Sequence, residues 1–304
     1  MELDDIVLVR RLMWYCFAES TVGDVVAAKK NELVVKSNRL VEASYRLTLV
    51  EQQIVLYSIC RSREEQKGLS PDTPVIVDVA SFSKLFHIDE RNAYHQLKEA
   101  MAVLFERKFN FTEIDETTGK LEKGFSRWVS ESSYIDGAGQ IKVIFSPRVI
   151  AFITRLGSEG NPFTSYRLEK IGHMTSTHAV RLYELLVQYL SVGARTIELD
   201  WLKETLHLTD DYPRLFDLKK RVIDVAVKQI NEHSDLRVSY TQRKTGRTVT
   251  HLIFDIKSKP EAKPKAKRPV IDDAYLAKYG RPGESRDEAY RRLAEELGQA
   301  RLIA

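Results

Sequence analysis

Seven histidines, two cysteines and three Asp-Asp pairs are the residues from which a catalytic or metal centre would first be sought. The histidines at 87, 95, 173, 178, 207, 233 and 251 form no HExxH pair, so no two imidazoles share a helix face as a zinc hydrolase requires. Cys16 and Cys60 stand 44 residues apart, too few and too distant for a zinc site or a disulfide framework, which fits a reducing, cytosolic compartment. Asp4-Asp5, Asp210-Asp211 and Asp272-Asp273 sit at chain ends and turns, where capping and solvation explain them better than an acid/base dyad. The chain has no P-loop, no GxGxxG fingerprint and no GxSxG elbow. It also lacks the tyrosine and histidine cluster that a strand-nicking enzyme needs. These residues predict no enzyme, no cofactor and no metal.

The cations carry a different chemistry. Lys and Arg number 47 against 43 Asp and Glu, a net charge of only +4, but the excess is local. Residues 213–257 hold ten Lys/Arg against five Asp/Glu, and residues 258–269 hold five against one. On a regular wheel of about 100° per residue, a helix over 215–232 gathers Leu215, Phe216, Leu218, Val222, Ile223, Ala226, Val227 and Ile230 on one side. Val225 lies just beyond that arc. Arg214, Asp217, Lys220, Arg221, Asp224, Lys228 and Asn231 fill the other side, and Lys219 is long enough to snorkel out to it. Such a face, taken alone, is a solvated surface. The neighbouring Arg243-Lys244-Thr245-Gly246-Arg247-Thr248 changes the reading, because three cations and two hydroxyls on a tight turn suit phosphate. Arg or Lys on the helix suits guanine O6 and N7. Together the two favour duplex DNA. A weaker set lies earlier: Arg91, Tyr94, His95 and Lys98 on one helix, then Lys120, Lys123 and Arg127 in β-type sequence. Packing competes with contact for Tyr94 and His95, and Phe125 and Trp128 read as core or interface.

These side chains need elements to hold them. A length of 304 residues with 43% apolar and 30% charged residues predicts a globular chain of two domains. No uncharged apolar run is long enough to span a bilayer. Residues 1–18 end in an apolar stretch, but Glu2, Asp4 and Asp5 stand where a signal peptide carries positive charge, so the segment reads as an extension. A capping box at Thr48-Leu49-Val50-Glu51 opens a helix to about residue 65. A strand at 75–79, helices at 80–86 and 89–107, and strands at 108–114, 124–135 and 140–146 follow. The order then recurs as a helix at 178–190, a strand at 195–199, helices at 200–207 and 215–232, and a hairpin over 236–243 and 248–256.

The recurrence is visible in single residues. Phe82, Phe86, His87 and Ile88 return 120 positions later as Leu202, Leu206, His207 and Leu208. Leu97-Lys98 returns after 121 as Leu218-Lys219, and Leu56-Tyr57 after 126 as Leu182-Tyr183. This predicts an α+β fold of two tandem winged-helix domains (helix-turn-helix plus β-hairpin wing) related by internal duplication. Two small α+β domains with no nucleic-acid role share the same element order. The expected limits are an extension at 1–33, a first domain at 34–157, a second at 158–257, and a basic, Pro-containing linker with an amphipathic helix at 258–304. In that tail Ser285 opens a capping box, and Tyr290, Leu293, Leu297 and Ala300 follow at helical spacing.

Several stretches resemble the iteron-binding plasmid replication initiators of the Pi and RepE type. They are Val35-Lys36-Ser37-Asn38-Arg39-Leu40 with Ala43-Ser44-Tyr45-Arg46-Leu47, and Asn161-Pro162-Phe163-Thr164 with Tyr166-Arg167-Leu168. Ala179-Val180-Arg181-Leu182-Tyr183-Glu184, Asp217-Leu218-Lys219-Lys220-Arg221, Arg237-Val238-Ser239-Tyr240, Lys244-Thr245-Gly246-Arg247 and Thr250-His251 extend the likeness. It covers about residues 34–256 and is sharper in the second domain. The resemblance implies monomers on direct repeats at an origin, opening of adjacent A·T-rich DNA, and host replication partners such as an initiator, helicase or chaperone. It also implies dimers that repress the chain's own promoter at an inverted repeat, in a bacterial cytoplasm, on plasmid or nucleoid. The second domain would be the main reader, through Arg214, Lys219, Lys220, Arg221, Lys228, Arg243, Lys244 and Arg247, and the first would add Arg91, Tyr94 and Lys98 and the dimer interface. Apolar strand surface at 108–111, Phe125, Trp128 and 141–145 supports a monomer–dimer equilibrium. A transcription repressor or a partition adaptor with no part in replication needs the same groove-reading helix and stays open on these residues.

Overall fold

A computed structural model describes residues 32–115, 117–135, 137–157, 161–260, 271–281 and 283–296. The extension up to residue 31, the linker at 261–270, and Leu297 and Ala300 of the expected tail helix lie outside the described residues. The chain forms two compact units, Met1–Ser258 and Lys259–Ala304.

The larger unit opens with β1 (Leu33–Ser37), α1 (Asn38–Glu42), β2 (Ser44–Tyr45) and α2 (Leu49–Glu65). The capping box forms as its sequence requires: Thr48 Oγ1 accepts from Glu51 N, and the Glu51 carboxylate accepts from Thr48 N at 2.8 Å. Helix α2 is buried on nearly every side, Gln52, Ser58 and Ser62 included, so it is the axis on which the rest packs. Next come β3 (Val75–Asp78), α3 (Val79–Phe86) and α4 (Glu90–Glu106), then β4 (Lys108–Ile114), β5 (Leu121–Arg127), β6 (Val129–Ile135) and β7 (Gln140–Phe145). After α5 (Pro147–Thr154), β8 (Phe163–Arg167) returns to pair antiparallel with β1. Then follow α6 (Thr177–Val187), β9 (Ala194–Glu198), α7 (Leu199–Thr205), α8 (Leu215–Leu218), a wider helical turn over Lys219–Ile223, α9 (Asp224–His233), β10 (Leu236–Thr245) and β11 (Thr248–Ser258).

Two sheets carry the duplication. In one the order is β3-β7-β6, and in the other β9-β11-β10, so strand, crossing helices and hairpin recur in the same arrangement. The repeated residues occupy equivalent places. His87 and His207 both end a short helix in the left-handed conformation, at φ 55° and 56°. Phe82, Leu97, Leu202 and Leu218 are all core. This is the two-winged-helix α+β fold that the repeat predicts.

The first repeat differs from its copy by an insertion, and here the sequence reading needs correction. Residues 124–135 are not one strand. Strand β5 pairs with β4 in a separate sheet of order β2-β4-β5, and β6 joins β7. The break falls at Trp128, whose buried ring meets Tyr45 at 4.8 Å and Phe109 at 4.9 Å between centroids. Lys120, Lys123 and Arg127 therefore belong to the inserted β4–β5 hairpin and not to a wing. Phe109, Phe111, Trp128, Ile141, Val143 and Phe145 are core residues and give no spare strand surface. What the insertion does expose is Ile114, paired across from Leu121, and Phe125, which is 70% exposed.

Buried polar bonds tie the entry segment to the second repeat. Lys36 Nζ lies 2.6 Å from Glu184 Oε1, both side chains almost fully buried, and Tyr166 donates to the same oxygen at 2.6 Å. Arg181 donates to the carbonyls of Val41 and Ala43 at 2.8 Å and to the Tyr45 hydroxyl at 2.6 Å. Burial pulls the Lys36 ammonium below its usual range, and the Glu184 charge opposes that pull.

The smaller unit contains α10 (Asp273–Tyr279) and α11 (Arg286–Glu296). Ser285 and Glu288 form the expected capping box, with Ser285 N donating to Glu288 at 2.9 Å. Its buried stripe is Ala289, Leu293 and Ala294; Tyr290, expected on that stripe, is exposed. Among the described residues no helix is long and apolar enough to cross a membrane.

Candidate nucleic-acid interface

The cationic side chains of the second repeat stand on a helix with an unusual centre. The chain leaves α7 through His207, then passes Tyr212, a half-buried residue with φ 56°, a left-handed conformation that costs a bulky side chain about 1–3 kcal/mol. Arg214 caps the following helix with backbone only, which leaves its exposed guanidinium uncommitted to the cap. One turn later the bonding widens: Asp224 N–H donates to Lys219 O, five residues back. An i→i+5 turn carries one more residue than an α-turn, about 100° of helical rotation.

That extra residue resets the faces. Leu218, Val222, Ile223, Ala226 and Ile230 are buried, while Lys220 and Arg221 are exposed side by side. Phe216, which a regular wheel puts in the apolar arc, is 70% exposed, and Val225 is 38% exposed. Asn231, expected on the solvent face, is half-buried and clamps the first strand of the wing: it donates to Val238 O at 2.8 Å and accepts from Val238 N at 2.7 Å. Asp224 accepts from the Tyr240 hydroxyl at 2.6 Å, and burial together with that carboxylate pushes the phenol upward. Lys219 is half-buried with Nζ 5.8 Å from the Tyr240 ring centroid. Lys228 is exposed and pairs loosely with Glu232 at 3.9 Å. Asp224, exposed on the same helix, is thus bonded to the wing, and Lys220, Arg221 and Lys228 are exposed on the helix beside it.

Strands β10 and β11 form the wing. A two-residue turn, Gly246-Arg247, joins them, and Gly246 at φ 63° supplies the positive φ that a turn with glycine first requires. The register shifts between Arg243 and Lys244, so Thr250 bulges and its hydroxyl meets Thr245 Oγ1 at 3.1 Å. Bulges increase local twist and re-aim side chains. Arg243, Lys244 and Arg247 are exposed here. Helix and wing, joined through Asn231, Asp224 and Tyr240, can present cations to phosphate and to groove edges at once.

The first repeat builds the same frame with other side chains. Arg91 is exposed in the first turn of α4, beside the Asp89 cap. Tyr94 is half-buried against the core. Lys98 Nζ lies 3.7 Å above the ring of Tyr134, which belongs to the β6–β7 wing. His95 pairs with Glu99 at 3.5 Å. Between 129 and 145 the wing carries one lysine, Lys142, and no arginine. Arg127, on the insertion, is held by Glu106 at 2.9 Å. Among the described residues no group of three His, Cys, Asp or Glu is placed to hold a metal ion.

Two features escaped the sequence: the wide turn and the outward Phe216. A signal for the first was present. Buried Leu218, Val222, Ala226 and Ile230 are spaced strictly by four, which drifts by about 40° per step in a regular helix and is brought back into line by one extra residue.

Comparison with known proteins gives two family matches. The description "Initiator Replication protein, WH1" fits residues 33–187, and "Initiator Rep protein, WH2" fits residues 198–256. An uncharacterised 27.6 kDa protein of Escherichia coli is 25% identical over 229 residues, which cover 72% of this chain and 93% of that protein. The crystal structure of Pi initiator protein in complex with iteron DNA matches with a TM-score of 0.61 and 20% identity, over 77% of this chain and all of that one. The WH1 domain of a replication protein isolated from a multiple sclerosis patient is 38% identical over 39% of this chain and 88% of its own, with a TM-score of 0.34.

Proposed function

The chain belongs to the family of initiator replication proteins with WH1 and WH2 domains, and from that premise we propose that it starts plasmid replication by binding iterons, direct repeats of duplex DNA at an origin. The observation that carries the DNA reading is the joined helix and wing of the second repeat, with Lys220 and Arg221 outward on one and Arg243, Lys244 and Arg247 on the other. In this reading Lys220 and Arg221, with Arg214, Lys219 and Lys228 around them, face base edges and phosphates in the major groove. The wing cations hold the flanking backbone. Arg91, Tyr94 and Lys98 make the lesser contacts of the first repeat. We place the domain limits at 34–157 and 158–257.

Bound monomers on adjacent repeats open neighbouring A·T-rich DNA and recruit host replication proteins. A second mode, repression of the chain's own promoter, uses a dimer on an inverted repeat. The feature that supports a dimer is the inserted hairpin, where β5 is an edge strand and Ile114, Leu121 and Phe125 are exposed on one face. This reading puts the protein in the bacterial cytoplasm with its plasmid.

The test is replication itself. A plasmid carrying the origin but no initiator gene is supplied with this chain in trans. Wild type should maintain it, and Lys220→Ala combined with Arg221→Ala should not. Promoter repression with no plasmid maintenance would replace the initiator reading with a repressor.

A further inference from the structure

Phe216 is the one large apolar side chain on the outward face of the α8–α9 segment that is exposed as fully as 70%. Scattered exposed apolar residues are ordinary on protein surfaces, so its position has to carry the argument. It lies four residues before Lys220, whose Nζ sits 5.9 Å from its ring centroid, so ring and ammonium leave the helix together. The wide turn at Lys219–Ile223 keeps it there, because the extra residue aligns the buried set without Phe216. The duplication says the same: Phe216 stands 121 residues after His95, which is solvent-facing and paired with Glu99. At a position its own copy leaves polar, the second repeat shows water an aromatic ring among Arg214, Lys220 and Arg221.

A cationic face that enters the major groove finds donors and acceptors on every base pair, but one apolar group: the C5-methyl of thymine. We propose that Phe216 reads a thymine methyl in the bound duplex, adding apolar specificity to the contacts of Lys220 and Arg221. The inference rests on the DNA-reading role of this helix. The contact is worth about one buried methyl group, which corresponds to roughly fourfold in affinity.

The probe is a duplex selected by the wild-type chain from a random-sequence pool, with each thymine replaced singly by deoxyuridine. That change removes the methyl and leaves the hydrogen-bonding edge intact. For wild type, one uracil position should weaken binding about fourfold, the worth of that methyl. Phe216→Ala should lose a similar factor on the unmodified duplex and be indifferent to that uracil, while Phe216→Leu should keep part of the sensitivity. If wild type and Phe216→Ala respond equally to every uracil duplex, the inference fails even though the duplex is still preferred over random DNA. A uniform loss in Phe216→Ala, independent of any methyl, means the ring wedges or merely fills space, and also overturns it. If the pool yields no preferred duplex, the DNA-reading role itself fails and the inference falls with it.

Discussion

His95 and Glu99 in the first repeat stand where Phe216 and Lys220 stand in the second, on helices that a common ancestor supplied and that now differ in shape as well as charge. Helix α4 runs 17 residues in regular α geometry, and its Lys98 is folded onto its own wing through Tyr134. The second helix contains the i→i+5 turn, directs two adjacent cations outward, and spends two further polar groups, half-buried Asn231 and exposed Asp224, on bracing the wing. The first repeat instead adds the β4–β5 hairpin and its exposed apolar residues. One scaffold thus supports two surfaces, because winged-helix packing fixes the buried residues and leaves the outward ones free. On the proposed reading the second surface serves DNA, and the first serves protein contact with lesser DNA contacts.

The comparison presumes that the repeats are held as one body, and the sharpest way to break it is to cut the buried bond between them. Glu184→Leu leaves Lys36 and Arg181, whose guanidinium lies 3.7 Å from the same carboxylate, both buried without a counter-charge, and removing one partner of a buried pair costs about 3–5 kcal/mol. Urea unfolding should show a loss of that size. The double variant Lys36→Met with Glu184→Leu should recover only part of it, since Arg181 keeps its bonds to Val41, Ala43 and Tyr45 but loses its carboxylate. An unchanged midpoint in the single variant would mean that the pair does not hold the repeats.

Next in size is the contrast between the two helices. Lys220→Ala and Arg221→Ala should each weaken specific binding by about 1–3 kcal/mol and relax base preference. Arg91→Ala and Lys98→Ala should cost less, on the order of 0.5 kcal/mol, the scale of ordinary surface changes. Equal losses, measured by fluorescence anisotropy on the same duplex, would erase the distinction between reader and helper. The wings sharpen the point by salt. Arg247→Ala should weaken all sequences alike and reduce the salt slope by about 1, because a phosphate contact releases counterions without reading bases. Lys142→Ala on the first wing should leave the slope unchanged.

These contrasts also show what the sequence could and could not reveal. Core positions such as Phe82 and Leu202, or Leu97 and Leu218, were legible because burial restricts residue type, and the restriction survived duplication. The capping boxes at Thr48 and Ser285 were legible because one short motif satisfies two orphan N–H groups. The split at Trp128 was not, since strand propensity runs through 124–135 and only the ring's burial against Tyr45 and Phe109 breaks it. The wide turn was missed because a wheel assumes one rotation per residue, so Phe216 was assigned to the wrong face while Lys220 and Arg221 were placed correctly.

The smallest effect tests whether the scaffold itself is equally well made in both repeats. Helix α3 begins on Asp78, whose Oδ1 accepts from Ser81 N at 2.9 Å. Helix α7 begins on Glu198, whose longer side chain makes no cap bond. An N-cap aspartate is worth about 1 kcal/mol over alanine. Asp78→Ala should therefore lower stability by that amount, Glu198→Ala should change little, and Glu198→Asp should gain a few tenths to about 1 kcal/mol by supplying the missing cap. The pH dependence gives an independent reading. Hydrogen bonds from Ser81, side chain first and backbone second, hold the Asp78 carboxyl below its usual range. A depressed carboxylate contributes stability that is present above its unfolded value near pH 4 and is lost as pH falls through the folded one. The difference between wild type and Asp78→Ala should accordingly be full at neutral pH and fade below about pH 4. Urea titrations at pH 7 and pH 3 measure it. An Asp78→Ala cost that is the same at the two pH values would show that the carboxylate does not cap the helix, and that the first repeat has no local advantage over the second.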